Sequence, residues 1–555
     1  MATYTSYSKL VALVIDDMAV QQTTLRGQLG MLGVGKVEGA SNADDAIRMI
    51  RAKPYGLILC DYHLNQKTDG QQLFEHLRDQ NLLSADCLFF MVTAENSYAS
   101  VVSATEHKPD CYLLKPITAG DIEDRLKMLI ERRQALLPIN DKISRKNLGG
   151  AIAECDKVLA RKDRWTMQAL QLKGQSLLQL GRPEEALDVY KIALEQRPSL
   201  IWAQLGVARA HKAANRFDEA KAVAHGIIQS KDGAKNVDAY DVVAQALEAQ
   251  GDSQGAFQAR KDSAAVVPSV KRHRLVGESA FRQGDLATAK ACMAKVCAAT
   301  KGSMTAQPLD ALMLSQTLID LGEPAQALAV LNDNANARRH DPQHEGTAHA
   351  IRAQGLARTG DAAGAAEAAL RARNAMQAAR PDFATIAVAK AELATGNDAG
   401  GLQLMQQVMS ADHENPRVRQ LIANALRDAG REDQLAQVVE GGAAAMISRV
   451  TEAKRLFRDS RTDEALEAID AVAAEFPDNT AVLLQAAQMN CMSLRMKKES
   501  NAQIQERVSL YLGRLESLMP AHDRVTQMQR YYRETLTGLG PASSVPAGLA
   551  SAATA

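Results

Sequence analysis

Four short apolar runs in the first 120 residues finish on residues that could do chemistry. LVALVI closes on Asp16-Asp17, and GLILC closes on Asp61. CLFFMV closes on Thr93-Ala94, and CYLL closes on Lys115-Pro116. If the runs are strands, three carboxylates, a hydroxyl and an ammonium share one edge. Three neighbouring carboxylates resist joint ionisation. A hard divalent cation such as Mg²⁺ relieves that repulsion and prefers oxygen ligands. An aspartate pair after a strand can equally just start a helix, and a Lys-Pro step alone says little. The five positions taken together carry the reading.

The elements that must position them alternate. GKVEGA is a weaker second strand, and the helical stretches are VQQTTLRGQLGMLG, NADDAIRMIRAK, GQQLFEHLRDQ and AGDIEDRLKMLIERRQALL. Asn42 is placed to cap the second of these. Strand–helix alternation with near-continuous apolar strands predicts a doubly wound parallel sheet covered on both faces. Sites in such sheets form beyond the carboxyl ends of the strands. Pro138 disfavours helix at Leu137. The closing helix is therefore expected to end there, with a short linker over 133–145.

Composition narrows the rest. The chain has 555 residues, with 65 basic and 65 acidic side chains. That length exceeds one ordinary domain, and the balance argues against DNA or anionic membrane as a partner. Seven scattered cysteines make no zinc pattern. No run of about 18 apolar residues could span a bilayer, and MATYTSYSKL lacks the apolar core of a signal peptide. A cytoplasmic protein is expected.

The strand-end set resembles the receiver domain of two-component response regulators, a flavodoxin-like fold, over roughly residues 8–132. The resemblance implies that Asp61 is the phospho-acceptor. It implies that Asp16, Asp17, Asp61 and the backbone carbonyl of His63 hold Mg²⁺. Thr93 and Ala94 would contact the phosphoryl group, Lys115 would pair with it, and Tyr112 would be the aromatic that changes rotamer. Pro116 is a cis-peptide candidate on the same ground. The loop DYHLNQKTDGQQ departs from the family: it has no proline after Leu64 and is one residue longer. Cys60 is expected to be a buried strand residue and the His63 side chain to be solvated.

Beyond residue 145 the pattern is a turn residue with an alanine five positions on. Gly181, Asn215, Gly251, Gly284, Gly322 and Gly360 start such pairs, with weaker copies at Gly396, Gly430 and Ser460 and a first at Lys146. Successive turns from Gly181 are 34, 36, 33, 38, 38, 36, 34 and 30 residues apart. A helical period near 34 resembles tetratricopeptide repeats. Trp202, Leu205 and Gly206 match that family's W-x-x-L-G; Gly174, Leu177, Ala186, Tyr190 and Pro198 match the preceding unit, and Ala453, Ala465, Ile469 and Pro477 a later one. Such units must stack into an all-α solenoid. KRHR at 271–274 and ARRH at 337–340 are expected to be solvated helix ends or loops, and Trp165 and Trp202 to be packing residues.

The domain expectation is therefore a receiver over 1–132, a linker over 133–145, a repeat array over 146–490, capping helices over 491–536 and a disordered tail over 537–555. Solenoids usually bind proteins or peptides. The expected function is a response regulator, phosphorylated by a sensor histidine kinase or phosphotransfer protein, whose output is binding of a partner protein or a second copy of the chain. The alternative is a constitutive scaffold whose receiver docks partners or drains phosphate. No separate enzymatic motif is visible.

Overall fold

The computed structural model describes residues 7–64, 68–84, 87–94, 109–301, 306–334, 342–376, 382–411, 416–498, 500–519 and 523–538. The chain forms two compact units: residues 1–276 with 294–307, and residues 277–293 with 308–555.

The first unit opens with a five-stranded sheet of β1 (Val11–Ile15), β2 (Lys36–Ala40), β3 (Leu57–Asp61), β4 (Leu88–Thr93) and β5 (Cys111–Leu114). The order is β2-β1-β3-β4-β5 and every pairing is parallel. β-strand side chains alternate faces, and here both faces are apolar. Leu13, Ile15, Ile58, Phe89 and Met91 pack under α2 (Ala43–Ala52) and α3 (Gly70–Asp79). Val14, Leu57, Leu59, Phe90 and Val92 pack under α1 (Ala19–Met31) and α4 (Ala119–Ser144). The expected strands are found within about one residue of their predicted ends. Asn42 does cap α2, accepting the Asp45 N–H at 2.8 Å.

The closing helix does not stop at Leu137. α4 runs 26 residues to Ser144 with Pro138 inside it. Segment 133–145 is thus mostly helix rather than a linker. A proline there removes one helical hydrogen bond and costs about 3 kcal/mol. Two features offset that cost. Pro138 and Gln134, whose carbonyl loses its donor, both face solvent. Leu136 and Ile139 are buried beside Ala151, Cys155, Val158 and Ala169. Packing of the next hairpin therefore overrides the local preference. The same helix buries Ile122, Leu126 and Leu129 against the sheet.

Helix pairs follow, beginning with Leu148–Arg161, Thr166–Gln179, Pro183–Gln196, Ile201–Ala213 and Phe217–Gln229. All ten turn residues picked out by the repeat pattern adopt positive φ, from Lys146 at 55° and Gly181 at 67° to Ser460 at 64°. This is the left-handed region where glycine is least strained, and Asn215 at 59° is a tolerated substitute. The alanines five residues on, including Ala151, Ala186, Ala220 and Ala465, are fully buried. Tyr190 explains two glycines at once. A Cβ on Gly174 or on Gly206 would lie 2.5 Å from its ring. Trp202 meets Tyr190 edge-on at 6.3 Å and so belongs to the packing. Trp165 is half-buried, with the Arg164 guanidinium 4.6 Å over its ring.

One expectation changes in the array. KRHR is a helix end, the first turn of Val270–Gln283, but it is not solvated: Arg272 is only 4% exposed and ion-paired with Asp241. A basic cluster on a packed helix buries whichever residue faces its neighbour. Segment 446–458 is the second half of the helix Leu435–Arg458. The run Ala443–Ala445 is strongly helix-forming, and no proline interrupts it. Helices Thr480–Lys497, Ala502–Leu518 and Asp523–Gly538 close the second unit around Val508, Leu515, Val525 and Tyr532. Asp470 fastens the first two by accepting from Asn490, Arg507 and Tyr511 at 3.0, 2.6 and 2.8 Å. ARRH and nearly all of the 537–555 tail lie outside the described residues.

Gly206→Ala should destabilise its repeats by about 1–3 kcal/mol, the usual cost of overpacking. Hydrogen exchange across 167–222 would quicken. Adding Tyr190→Leu should recover part of the loss, whereas purely additive effects would show that the ring is not the obstacle.

Candidate functional site

The four strands β1, β3, β4 and β5 end on one edge because they are parallel and in register. Asp61 pairs with Val92, and Thr93 pairs with Leu114. The next residue beyond Ile15 is Asp16, and the next beyond Leu114 is Lys115. Parallel register is thus what delivers the five side chains to one place.

The carboxylates of Asp16, Asp17 and Asp61 each place an oxygen within 4.8 Å of the others. Asp16 is fully buried, Asp61 is 8% exposed and Asp17 is half-buried. The Lys115 ammonium stands 3.1 Å from Asp61 Oδ2 and 3.3 Å from Asp16 Oδ2. Burial pushes the Asp61 carboxyl above its ordinary range; the Lys115 charge opposes the shift and the Asp16 charge adds to it. Lys115 pairs with two of the three carboxylates, and together they make a partly desolvated, oxygen-rich cluster. That donor set fits a hard divalent cation.

Thr93 is buried at the end of β4, and Ala94 beside it is exposed. The Lys115 backbone N–H donates to the Thr93 carbonyl at 2.8 Å, and the Lys115–Pro116 peptide is cis. Tyr112, on β5, packs with the α2/α3 face, and burial raises the pKa of its hydroxyl, with Tyr62 and Glu75 adding to the rise. The His63 side chain is exposed and touches Tyr62 edge-on at 5.1 Å. Cys60 is fully buried, and burial raises its thiol well above the ordinary value. Residues 65–67 of the lengthened loop lie outside the described residues.

Three supporting residues escaped the sequence reading. Gln22 Nε2 donates to the carbonyls of Asp16 and Ala40 at 2.6 and 3.0 Å, tying the ends of β1 and β2 together. Gln28 Nε2 holds the Ile117 carbonyl at 2.6 Å, just after the cis step. Gly70 opens α3 so close to the acidic strand end that a Cβ would lie 2.1 Å from the Asp61 carbonyl oxygen. A glycine directly after the N-cap Asp69 was the available signal for the last. The two glutamines gave none, because both look like ordinary surface positions of a helix.

The comparisons agree with this geometry. Residues 12–127 match the response regulator receiver domain model, and residues 177–240 match a tetratricopeptide repeat model. Chemotaxis protein CheY-3 of Vibrio cholerae is 24% identical over 121 residues, which are 22% of this chain and 91% of that protein. The probable transcriptional regulator ycf27 of Cyanophora paradoxa is 26% identical over 127 residues, 23% of this chain and 51% of that protein. The crystal structure of the APC/C hetero-tetramer Cut9-Hcn1 aligns with 67% of this chain and 70% of its own at 13% identity, with a TM-score of 0.31, too loose a likeness to define a helix arrangement. Among the described residues, no helix is long and apolar enough to cross a membrane. The chain therefore carries a response regulator receiver domain at its N-terminal end and tetratricopeptide repeats further along.

Proposed function

We propose that the chain is a phosphorelay response regulator in which Asp61 is the phospho-acceptor and the repeats bind a protein partner. The observation that carries this reading is the Lys115 ammonium lodged between Asp61 and Asp16, with Asp17 beside them. A histidine kinase or phosphotransfer protein would donate the group. An Asp61 carboxylate oxygen bonds to phosphorus as the phosphorus–nitrogen bond of phosphohistidine breaks, and the departing imidazole keeps the electron pair. Mg²⁺ held by Asp16, Asp17, Asp61 and the His63 carbonyl would neutralise phosphoryl oxygens. Lys115 would pair with another of those oxygens. Thr93 would donate a hydrogen bond to the group, with Ala94 lining it. Tyr112 would then turn toward the space behind Thr93.

α4 supports a coupled output. Its first half packs on the sheet through Ile122, Leu126 and Leu129, and it starts four residues after Lys115. Its second half forms the first array core through Leu136 and Ile139. A shift at the strand ends therefore has a continuous helix to act on. In this reading the protein works in the cytoplasm, where a kinase-borne phosphoryl group is available, and its chemistry is limited to accepting and losing that group.

With a divalent cation and acetyl phosphate, wild-type protein should gain one acid- and base-labile phosphoryl group by intact mass, and Asp61→Asn none. Equal labelling of both would remove Asp61 from its role.

Asp17→Asn should weaken Mg²⁺ binding roughly tenfold, about 1.4 kcal/mol, in calorimetric titration. Unchanged affinity would show that Asp17 is no ligand.

Beryllofluoride, a phosphoryl mimic, should alter hydrogen exchange in residues 140–220 of wild type but not of Asp61→Asn. Couplings of this kind are on the order of 1–3 kcal/mol. Changes confined to residues before 132 would favour a constitutive scaffold instead.

A further inference from the structure

The second unit contains a cavity of 250 Å³. One wall is aromatic: Phe281 and Phe383 meet edge-on at 5.7 Å, and both line the space. Its polar side is a buried charge cluster. Lys390 is 8% exposed, and its ammonium lies 2.5 Å from Asp320 and 2.9 Å from Asp428. Asp320 is closed off almost completely and also accepts from Gln316 at 2.8 Å.

Two carboxylates share the Lys390 ammonium as their ion-pair partner, while Arg358, which lies beside Lys390 and Asp428, is engaged by the Ile319 carbonyl. Burial pushes the Asp320 carboxyl up; Lys390 opposes the shift and Asp428 reinforces it, the pattern of two carboxylates competing for one cation. Arg427, the other cation on the lining, is 59% exposed and already pairs with Glu432 at 3.3 Å. Asp320 and Asp428 are each the last residue of a helix, Pro308–Asp320 and Pro416–Asp428. Helix carboxyl ends carry partial negative charge of their own. The Asp428 side chain, 22% exposed, thus presents surplus negative charge to the cavity.

We propose that this cavity is a subsite for the guanidinium of an arginine on a bound peptide segment. The inference rests on the reading that the repeats bind a protein, and it names the side chain they accept. An anion would meet the surplus carboxylate, so a cation is required. The volume falls below the roughly 300–1,000 Å³ of clefts for drug-sized ligands, so one side chain fits better than a cofactor. A planar, weakly hydrated guanidinium suits phenyl faces better than a strongly hydrated ammonium does.

The test uses the full-length protein and three probes: acetyl-Ala-Ala-Arg-Ala-Ala-amide, its twin with neutral citrulline in place of arginine, and putrescine. By ligand-observed NMR titration, the arginine peptide should bind at least about fivefold more tightly than the citrulline twin, a gap on the order of 1 kcal/mol. Asp428→Asn should erase that gap in a protein whose circular dichroism still shows the folded helices, because Lys390 keeps Asp320. Phe383→Leu should narrow the gap as a second, independent variant. Equal binding of the two peptides to wild type would overturn the subsite, as would an arginine preference that survives Asp428→Asn. Putrescine binding more tightly than the arginine peptide would overturn it in favour of a small-cation site. If partner proteins still co-purify with Asp428→Asn while the peptides bind wild type alike, the subsite alone fails and protein binding by the repeats stands.

Discussion

Three carboxylates crowd one edge of a parallel sheet, and the Lys115 ammonium pairs with two of them. Asp16 is fully buried and Asp61 nearly so, a placement that would be prohibitive for unpaired anions. Lys115 reaches both within 3.3 Å. The rest of the receiver can be understood as what this arrangement requires. Parallel register brings four strand ends level. Among the described residues two helices cover each face, and the strands stay apolar up to the last residue before the charges. Gln22 joins neighbouring strand ends, and Gly70 lets α3 begin against the Asp61 carbonyl.

The array is built on a different constraint, the reversal between paired helices. Each reversal needs one residue at positive φ and a small residue where the helices meet. Glycine meets the first need at seven of the ten turns; Asn215, Ser460 and Lys146 meet it at the others. The second need explains why Ala186, Ala220 and Ala256 have no exposed surface. Where aromatics are present, as at Tyr190, the close approach is sharper. The ring fills the space that side chains at Gly174 and Gly206 would occupy.

Much of this was legible because it is periodic or terminal. Strand ends were marked by a change from apolar to charged residues, and turns by glycine at a fixed distance from alanine. These are local signals, and the local physics decided them. The misreadings came where packing outweighed a local preference. Pro138 looked like a stop, but Leu136 and Ile139 gain a buried surface only if the helix continues. KRHR looked solvated, but the helical turn directs Arg272 inward to Asp241. Gln22 and Gln28 were invisible for a related reason. Their value lies in reaching backbone carbonyls that only the folded sheet brings near.

Among the described residues, Lys115 and Lys390 each bridge two aspartates, and the pair separates two uses of buried charge. At Lys115 the partners are the ends of different strands, and Asp17 adds a third carboxylate to the cluster. A charge arriving there meets groups that can exchange partners. At Lys390 the partners are helix ends, and Asp320 is sealed from solvent and fixed by Gln316. Removing either partner of a buried pair strands a charge, at a cost of about 3–5 kcal/mol. Lys390 with Asp320 is therefore a fixed element of the fold, and the surplus falls on Asp428, the more accessible carboxylate. The same residue types thus make a centre that can redistribute charge at the sheet edge and a static negative pocket within the repeats.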